Sequence, residues 1–317
     1  MDPPPREIFL VLNGCMDADG DTIADDSLLR VLRLPHSVGP ARARNLGAAR
    51  SQGDILLFLD ADVTVRPDTI RVLLGVFEGD PSLTALFGSY DDAPAEADLF
   101  SQYRNLLHHY THMTGNEEAS TFWSGCGAVR REAFLSVGGF DERYPRPCIE
   151  DVELGYRLRR AGARIRLVKE LQVIHLKKWR LLRILRTDLL DRAVPWTRLI
   201  LRERRFINDL NLKTPARISV ALTGFVPVCL ALAFRVPGLL FAAAAALLGA
   251  AALNLPLYRF FARKRGVVFA LQTLPLHALY HLCCAGGFVV GLTLHLLSRG
   301  GGNTSPEEAE PLRQKVS

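Results

Sequence analysis

The distribution of apolar residues along the chain limits its possible folds more than any other feature. The first two-thirds mixes charged and apolar residues, whereas residues 218–297 are almost continuously Ala, Leu, Val, Phe and Gly. Segments 218–234 and 237–257 each have about the length that crosses a hydrocarbon core, and only a tight turn fits between them. We therefore predict two or three transmembrane helices within 213–299, followed by a disordered tail over 300–317.

Positive charge is concentrated next to this apolar region. Residues 157–217 contain 18 Lys and Arg against 5 Asp and Glu. Residues 177–212 place Trp and Leu among many arginines, which predicts a basic amphipathic segment at a bilayer interface, although a solvated surface helix has the same pattern. Aromatic residues are not interleaved as stacking on bases would require, so we expect no nucleic-acid partner.

The cysteines and the distribution of positive charge indicate the compartment. Six cysteines lack paired spacing, which predicts free thiols in a reducing environment. The first residues show no basic region followed by an apolar one, so no signal peptide is expected. A second basic run, at 262–265, follows the two candidate spans. By the positive-inside rule, we expect a multi-pass protein of the cell membrane whose soluble domain faces the cytoplasm.

The first 176 residues have the pattern of an α/β domain. Apolar runs at 7–12 and 55–59 predict buried strands, and residues 39–51 between them have helical spacing. Strands alternating with helix-length crossovers favour a mostly parallel sheet. Functional residues in such sheets gather at the carboxyl ends of the strands, where Asn13 and Asp60 fall.

Two pairs of acidic residues are candidates for chemistry. Asp60 and Asp62 follow the second strand, and two such carboxylates can hold a divalent cation through hard oxygen ligands. A turn or a helix cap would use the same residues. Glu150 and Asp151 begin a predicted helix, where a carboxylate can act as a general base or can simply stabilise the helix dipole.

Three segments taken together resemble family 2 glycosyltransferases of the GT-A fold. They are GPARARNLGAARSQGDILLFLDADV, FWSGCGAVRREAFLSVGGFDERY and IEDVELGYRLRRAGARI, in this order and with about the gaps of that family. The resemblance covers residues 7–175. It implies a Rossmann-like domain that transfers a sugar from a UDP- or GDP-sugar to an acceptor with inversion, using Mg²⁺ or Mn²⁺.

The resemblance also implies roles for individual residues. Asp60 and Asp62 correspond to the metal and diphosphate pair, with His175 as a third ligand in some relatives, and Asp151 corresponds to the base beside Glu150. The implied nucleotide contacts are Asn13, Arg44, Asn45 and Asp60. The implied acceptor contacts are Trp123, Ser124, Gly125, Cys126 and Gly127. Structural alternatives remain open at this point: a solvated helix face for Arg44, a tight turn for the glycines and a structural histidine at 175.

The sequence departs from the family pattern at its start. Relatives begin with one further strand and helix that hold the base of the nucleotide. Asn13 stands where those relatives have an Asp that contacts this nucleotide base. This departure leaves an inactive, transferase-like membrane scaffold as an alternative. Residues 55–65 also match the strand and Asp-x-Asp of haloacid-dehalogenase phosphatases, and residues 17–21 suggest a calcium loop whose Gly comes too early.

Because the predicted site adjoins the membrane segment, we expect a membrane lipid or lipid-linked acceptor.

Overall fold

The computed structural model describes residues 1–14, 23, 26–204 and 206–300. These residues form two compact units. The first contains Met1–Tyr90 and Asn116–Leu176, and the second contains Asp91–Gly115 and the described residues from Lys177 onward. The sequence predicts one soluble domain over 1–176, and the structure differs from this prediction at residues 91–115. Residues 17–21, where a turn is expected rather than a calcium loop, and the tail beyond residue 300 lie outside the described residues.

The strands of the first unit form two sheets. A parallel pair consists of β1 (Ile8–Asn13) and β2 (Leu29–Leu34). The other sheet has the order β3-β6-β5-β7-β4. Its strands are β3 (Ile55–Leu59), β4 (Val63–Thr64), β5 (Ala85–Tyr90), β6 (Cys126–Arg130) and β7 (Ile165–His175).

The α/β class is confirmed, but the expectation of a mostly parallel sheet is wrong for the five-stranded sheet. Only β5 and β7 pair in parallel there, whereas β6 runs antiparallel to both β3 and β5, and β4 runs antiparallel to β7. The connection from β5 to β6 contains one helix, Leu99–Met113, which belongs to the second unit, and the chain returns from it into β6 in the antiparallel direction. A five-residue apolar run does not reveal its direction, so the sequence pattern could not show this.

The helices up to residue 176 are α1 (Pro40–Arg50), α2 (Thr69–Gly79), α3 (Leu99–Met113), α4 (Arg131–Ser136) and α5 (Glu150–Arg160). Helix α1 begins after Gly39, whose φ is 84° and where a Cβ would meet the carbonyl oxygen of Pro145 at 2.6 Å. Glycine is therefore required there. Helix α5 has acidic residues in its first turn and arginines in its last, an arrangement that the helix dipole favours.

The second unit is helical in the described residues. The basic segment forms α6 (Leu181–Arg186), a π-helical stretch (Thr187–Ala193) and α7 (Val194–Glu203). The apolar region forms α8 (Thr214–Leu232), α9 (Leu239–Leu253), α10 (Leu255–Arg265) and α11 (Val267–Gly300).

Two helices, α8 and α11, are long and apolar enough to cross a membrane, and α9 with α10 makes a third candidate that is bent by 62°. The bend lies at Asn254, whose side-chain amide donates to the hydroxyl of Ser219 and to the carbonyl of Ala250, both at 2.8 Å. Helix α10 then begins with a proline in its first turn and ends with three cations. The straight helix within the second predicted span, 237–257, therefore ends at Leu253, about four residues before the predicted end of the span.

Helix α3 belongs to the second unit because it shares a core with α10. Tyr103 and Leu106 pack with Leu257 and Phe261. A buried ion pair fastens α3 to the π-helical stretch: Nη1 of Arg104 lies 2.7 Å from Oδ1 of Asp188. An amphipathic pattern predicts which face of α3 is apolar, but it does not identify the element that covers that face.

Candidate active site

The carboxyl end of β3 carries the first pair of predicted acids. The backbone N–H of Asp60 donates to the carbonyl of Gly125 at 3.3 Å, and the carbonyl of Asp62 accepts from the N–H of Leu176 at 2.8 Å. The short strand β4 pairs with the end of β7. This pairing brings His175 to Asp62, with Nε2 of the histidine 3.9 Å from Oδ2 of the aspartate.

Aromatic rings pack against His175. Tyr90 stacks on the imidazole, with ring centroids 4.0 Å apart and planes at 12°. The Tyr90 ring also meets Trp123 edge-on at 4.9 Å. The imidazole is buried, with 3% of its side chain exposed, so its orientation is fixed by packing.

Arg44 joins acids from two different elements. One guanidinium nitrogen, Nη2, donates to Oδ1 of Asp60 at 2.7 Å, and the other, Nη1, donates to Oε1 of Glu150 at 2.8 Å. The guanidinium lies 5.4 Å from the centre of the Phe140 ring. Burial lowers the pKa of Arg44, but the charges of Asp60 and Glu150 outweigh it and leave the pKa raised. The alternative of a solvated helix face is therefore excluded for Arg44.

Glu150 and Asp151 lie side by side at the start of α5 with different surroundings. Glu150 is buried, and its second oxygen, Oε2, accepts from the N–H of Cys148 at 2.9 Å. Asp151 is half-buried, and its Oδ2 accepts from the N–H of Ser124 at 3.2 Å. The first carboxylate is thus held on both oxygens, while the second faces residues 123–127.

The surroundings of Asp151 change its acidity. Burial raises its pKa most, the negative charge of Glu150 raises it further, and Arg44 and the N–H groups of Ser124 and Val152 oppose the rise, which leaves a pKa of about 6. A carboxylate with a pKa near neutrality is a better general base than an ordinary aspartate, because it holds a proton more strongly and is still ionised at pH 7.

The predicted acceptor residues 123–127 divide into two groups. A Cβ on Gly125 would lie 2.2 Å from the Trp123 ring, and one on Gly127 would lie 2.2 Å from the Trp123 carbonyl, so both glycines make room for Trp123. Cys126 is fully buried in the core of the sheet, where burial and the charge of Asp60 raise its pKa to about 12. The side chain of Cys126 is therefore enclosed, and its role as an acceptor contact stays a prediction.

The two predicted asparagines have structural partners. Asn45 is 2% exposed, and its amide both donates to the carbonyl of Phe140 at 2.9 Å and accepts from the N–H of Phe140 at 2.8 Å. Asn13 accepts from the N–H of Val38 at 2.7 Å. The buried amide of Asn45 thus fixes the backbone of Phe140, and a nucleotide contact by Asn45 stays a prediction. Asn13 fixes the chain that follows β2.

The arrangement of acids at the strand end and helix start agrees with known protein families. Residues 2–138 match the family model described as glycosyl transferase family 2. This part of the chain is therefore similar to that family. Residues 104–179, which include Glu150 and Asp151, match a second model, described as the N-terminal domain of galactosyltransferase.

Curated relatives of this glycosyltransferase domain carry transferase names. The chain is 34% identical over 167 residues to the pre-mycofactocin glycosyltransferase of Mycobacterium tuberculosis, a match that covers 49% of this chain and 33% of the relative. It is 27% identical over 152 residues to the glucosyl-dolichyl phosphate glucuronosyltransferase of Haloferax volcanii, covering 43% and 46%. The chain thus spans about a third of the length of the first of these relatives.

A solved structure confirms the fold of the glycosyltransferase. The mannosyltransferase PcManGT from Pyrobaculum calidifontis, in complex with GDP-Man and Mn²⁺, superposes with a TM-score of 0.52 at 18% identity. The match covers 93% of this chain and 80% of the other. At this identity the comparison establishes the GT-A fold and nothing finer.

The residues at the end of β3 were tested for their fit to a divalent cation. No cluster of three or more His, Cys, Asp and Glu set for a metal ion occurs in the described ranges. The 3.9 Å between the Asp62 and His175 atoms is, however, less than twice the usual metal–ligand distance of about 2.1 Å, so one cation could contact both. Asp60 would become a third ligand once its carboxylate left Arg44. Asp62 and His175 thus supply two donors of the kind that a divalent cation takes, and the third ligand stays a prediction.

Sequence reasoning missed two aromatic residues of the glycosyltransferase site. Phe140 supports both Arg44 and Asn45, and Tyr90 stacks on His175. Phe140 could have been found, since it follows the turn signal Gly138-Gly139 within the second quoted motif, and both glycines have a positive φ. Tyr90 ends an apolar strand and carries no comparable signal.

The phosphatase alternative is overturned by the family match. A haloacid-dehalogenase site also requires Asp60 as a nucleophile, whereas here the Asp60 carboxylate is held by Arg44. The expectation of free thiols agrees with the structure, because the five cysteines within the described part of the chain are all unpaired.

Proposed function

We propose that this chain transfers a sugar from a nucleotide-sugar to a membrane-associated acceptor, with inversion at the anomeric carbon and with Asp151 as the base. The observation that carries the proposal is the cluster around Arg44. It brings the acid at the end of β3 together with the acidic pair at the start of α5, next to residues 123–127.

The reaction we propose is a single displacement. Asp151 accepts the proton of the attacking acceptor oxygen, which belongs to an alcohol hydroxyl or to a singly protonated phosphate, while that oxygen forms a bond to the anomeric carbon. The bond between this carbon and the diphosphate oxygen breaks, and the electron pair leaves with the nucleoside diphosphate. One displacement inverts the configuration and needs one carboxylate base on the face opposite the leaving group. The N–H of Ser124 orients Asp151 for this step.

The donor end of the site would be formed by Asp60, Asp62 and His175. A bound Mg²⁺ or Mn²⁺ would neutralise negative charge on the departing diphosphate. Arg44 lies beside this end of the site and can donate to a phosphate oxygen, which supports its predicted role as a nucleotide contact. Glu150 holds Arg44 from the other side, so its role is to position the guanidinium.

The membrane association that we propose is supported by the second unit. Helices α8 and α11 have the length and composition of membrane spans, and α9 with α10 adds a third candidate. Leu182 is 81% exposed and Phe241 is also 81% exposed, as expected of residues that contact lipid. The basic residues of α6 and α7 precede the first candidate span, which supports a cytoplasmic glycosyltransferase domain by the positive-inside rule.

The proposed membrane association supports a lipid acceptor. A site on a domain anchored at the bilayer surface meets acceptors that stay in the membrane. One relative is named as a glucosyl-dolichyl phosphate glucuronosyltransferase, which supports a lipid-linked acceptor. We therefore propose a polyprenyl phosphate or another membrane lipid as the acceptor.

The test is a transfer assay with the full chain in detergent. A panel of UDP- and GDP-sugars is incubated with Mn²⁺ or Mg²⁺ and with a polyprenyl phosphate, a phospholipid or a soluble alcohol as acceptor. The expected result is metal-dependent transfer to a lipid acceptor that is lost in Asp151→Asn. The configuration of the product, read by proton NMR of the anomeric hydrogen, should be inverted.

Two outcomes would contradict the proposal. Binding of neither nucleotide nor metal, together with no turnover, would support the inactive scaffold instead. Transfer with retention of configuration would remove Asp151 from the role of base in a single displacement.

A further inference from the structure

We infer that Arg44 makes the binding of a divalent cation at Asp60 depend on the diphosphate of the donor. This inference rests on the proposed function and gives Arg44 a second task, as a positioning residue that couples two ligands.

Arg44 and a divalent cation would compete for the carboxylate of Asp60. Arg44 already donates to Oδ1 of Asp60 at 2.7 Å. A cation that binds Oδ1 must displace this hydrogen bond, and a cation that binds either oxygen of Asp60 must lie close to the guanidinium. Arginine does not lose its proton in proteins, so two positive charges would face each other across a short distance. A cation alone is therefore opposed by Arg44.

The guanidinium of Arg44 cannot move far from its position. It remains bound to Glu150 at 2.8 Å and rests on the Phe140 ring, and its side chain is 19% exposed. Glu150 is itself fixed by the N–H of Cys148. Asp60, which is 29% exposed, is the more open partner, so the bond between Arg44 and Asp60 is the one that can exchange.

A diphosphate can remove the repulsion between the cation and Arg44. A diphosphate brings negative charge between the two positive groups and offers oxygens to both, and arginine forms strong charge-assisted hydrogen bonds with phosphate. The cation and the diphosphate then favour each other's binding. By linkage, each must strengthen the other by the same factor.

A purely structural role for Arg44 predicts a different result. An arginine that only joins α1 to β3 and α5 would destabilise the fold when replaced. It would leave unchanged the ratio between cation affinities measured with and without nucleotide. The ratio, rather than stability or activity, therefore separates the two roles.

The experiment measures Mn²⁺ binding by electron paramagnetic resonance with the full chain in detergent, with and without UDP or GDP and corrected for the Mn²⁺–nucleotide complex in solution. In the wild type we expect the nucleoside diphosphate to tighten Mn²⁺ binding by about tenfold or more. In Arg44→Gln, Mn²⁺ alone should bind about tenfold more tightly than to the wild type, and the tightening by nucleotide should nearly disappear.

Two variants serve as controls. Arg50→Gln removes the same charge from the exposed end of the same helix, and it should keep the wild-type ratio. Arg44→Lys keeps the charge and should retain part of the coupling. Thermal unfolding of each variant shows that it is folded under the assay conditions.

Either of two results would overturn the inference: Arg44→Gln with the wild-type ratio, or a wild type that binds Mn²⁺ equally well with and without nucleotide. The second result would leave the proposed transferase standing if nucleotide still bound. A wild type that binds neither Mn²⁺ nor nucleotide would overturn the proposed function and this inference together.

Discussion

The backbone N–H of Ser124 donates to Oδ2 of Asp151 across 3.2 Å. Residues 123–127 precede and begin β6, whereas Asp151 lies in the first turn of α5, so this contact joins the predicted acceptor residues to the predicted base. Glu150, the neighbour of Asp151, is held by Arg44, which also holds Asp60. A short chain of polar contacts thus runs from the donor acids to the acceptor residues.

Replacement of Asp151 by asparagine should remove the base without disturbing donor binding. We expect kcat to fall by about 10²–10⁴-fold, the range typical of general-base catalysis, while the Kd for nucleoside diphosphate stays within about twofold. Single-turnover transfer and nucleotide titration measure the two quantities. Asp54→Asn is the matched control, because Asp54 is an exposed aspartate just before β3. A kcat unchanged by Asp151→Asn would assign the base elsewhere.

The pH dependence of the rate should report the raised pKa of Asp151. Burial and the charge of Glu150 raise this pKa to about 6. The base works only when deprotonated, so kcat should be constant above this pH and fall tenfold for each pH unit below it. An acid limb near pH 4, the value for an ordinary aspartate, would mean that Asp151 is solvated during the reaction.

Trp123 should be the side chain most sensitive to small changes in its own loop. In Gly125→Ala the new methyl group would meet the Trp123 ring, because a Cβ there lies 2.2 Å from it. We expect the ring to be displaced and the KM for acceptor to rise more than the KM for donor. Gly75→Ala in α2 is the control, since nothing lies within 4 Å of its Cβ. It should stabilise the protein by about 0.5–1 kcal/mol, measured by thermal unfolding.

Local sequence patterns were enough to find most elements of the fold, but not their partners. Apolar runs predict the strands that end at Asn13 and directly before Asp60. The concentration of positive charge predicts the boundary between the two units at residues 176–177. The direction of β6 and the transfer of α3 to the helical unit depend on contacts distant in sequence. Tyr103, for example, packs against Phe261, and no pattern within α3 specifies that neighbour.

The candidate site was predictable in its acids and less so in its supporting residues. Asp60, Glu150 and Asp151 stand at strand ends and helix starts, where charge is informative. The role of Asn45 could not be read from its position, because a polar residue in a helix can face solvent, a ligand or a buried backbone. Here it faces the backbone of Phe140, a residue distant in the chain.

The ion pair between Arg104 and Asp188 should contribute strongly to the stability of the helical unit when only one partner is removed. Their side chains are 8% and 1% exposed. Arg104→Met would leave a buried charge unpaired and should cost about 3–5 kcal/mol. The double replacement Arg104→Met with Asp188→Leu should cost less than Arg104→Met alone, because it leaves no charge. Thermal unfolding in detergent compares the three proteins. A double variant as unstable as Arg104→Met would indicate that packing, and not charge, determines the loss.

The carboxyl end of α11 should lie on the side of the membrane opposite the glycosyltransferase domain. Helix α10 packs through Phe261 against Tyr103 of α3, and it ends in three cations. Both features favour a position on the cytoplasmic side, so α8 and α9 cross and return and α11 crosses once more. A cysteine at residue 298, in Ser298→Cys, should then react with a membrane-impermeant maleimide in intact cells, after the six native cysteines have been changed to alanine. Gln52→Cys, an exposed position before β3, should react only after the cells are opened. Labelling of both only in opened cells would mean that α9 with α10 does not cross and that the chain spans the membrane twice.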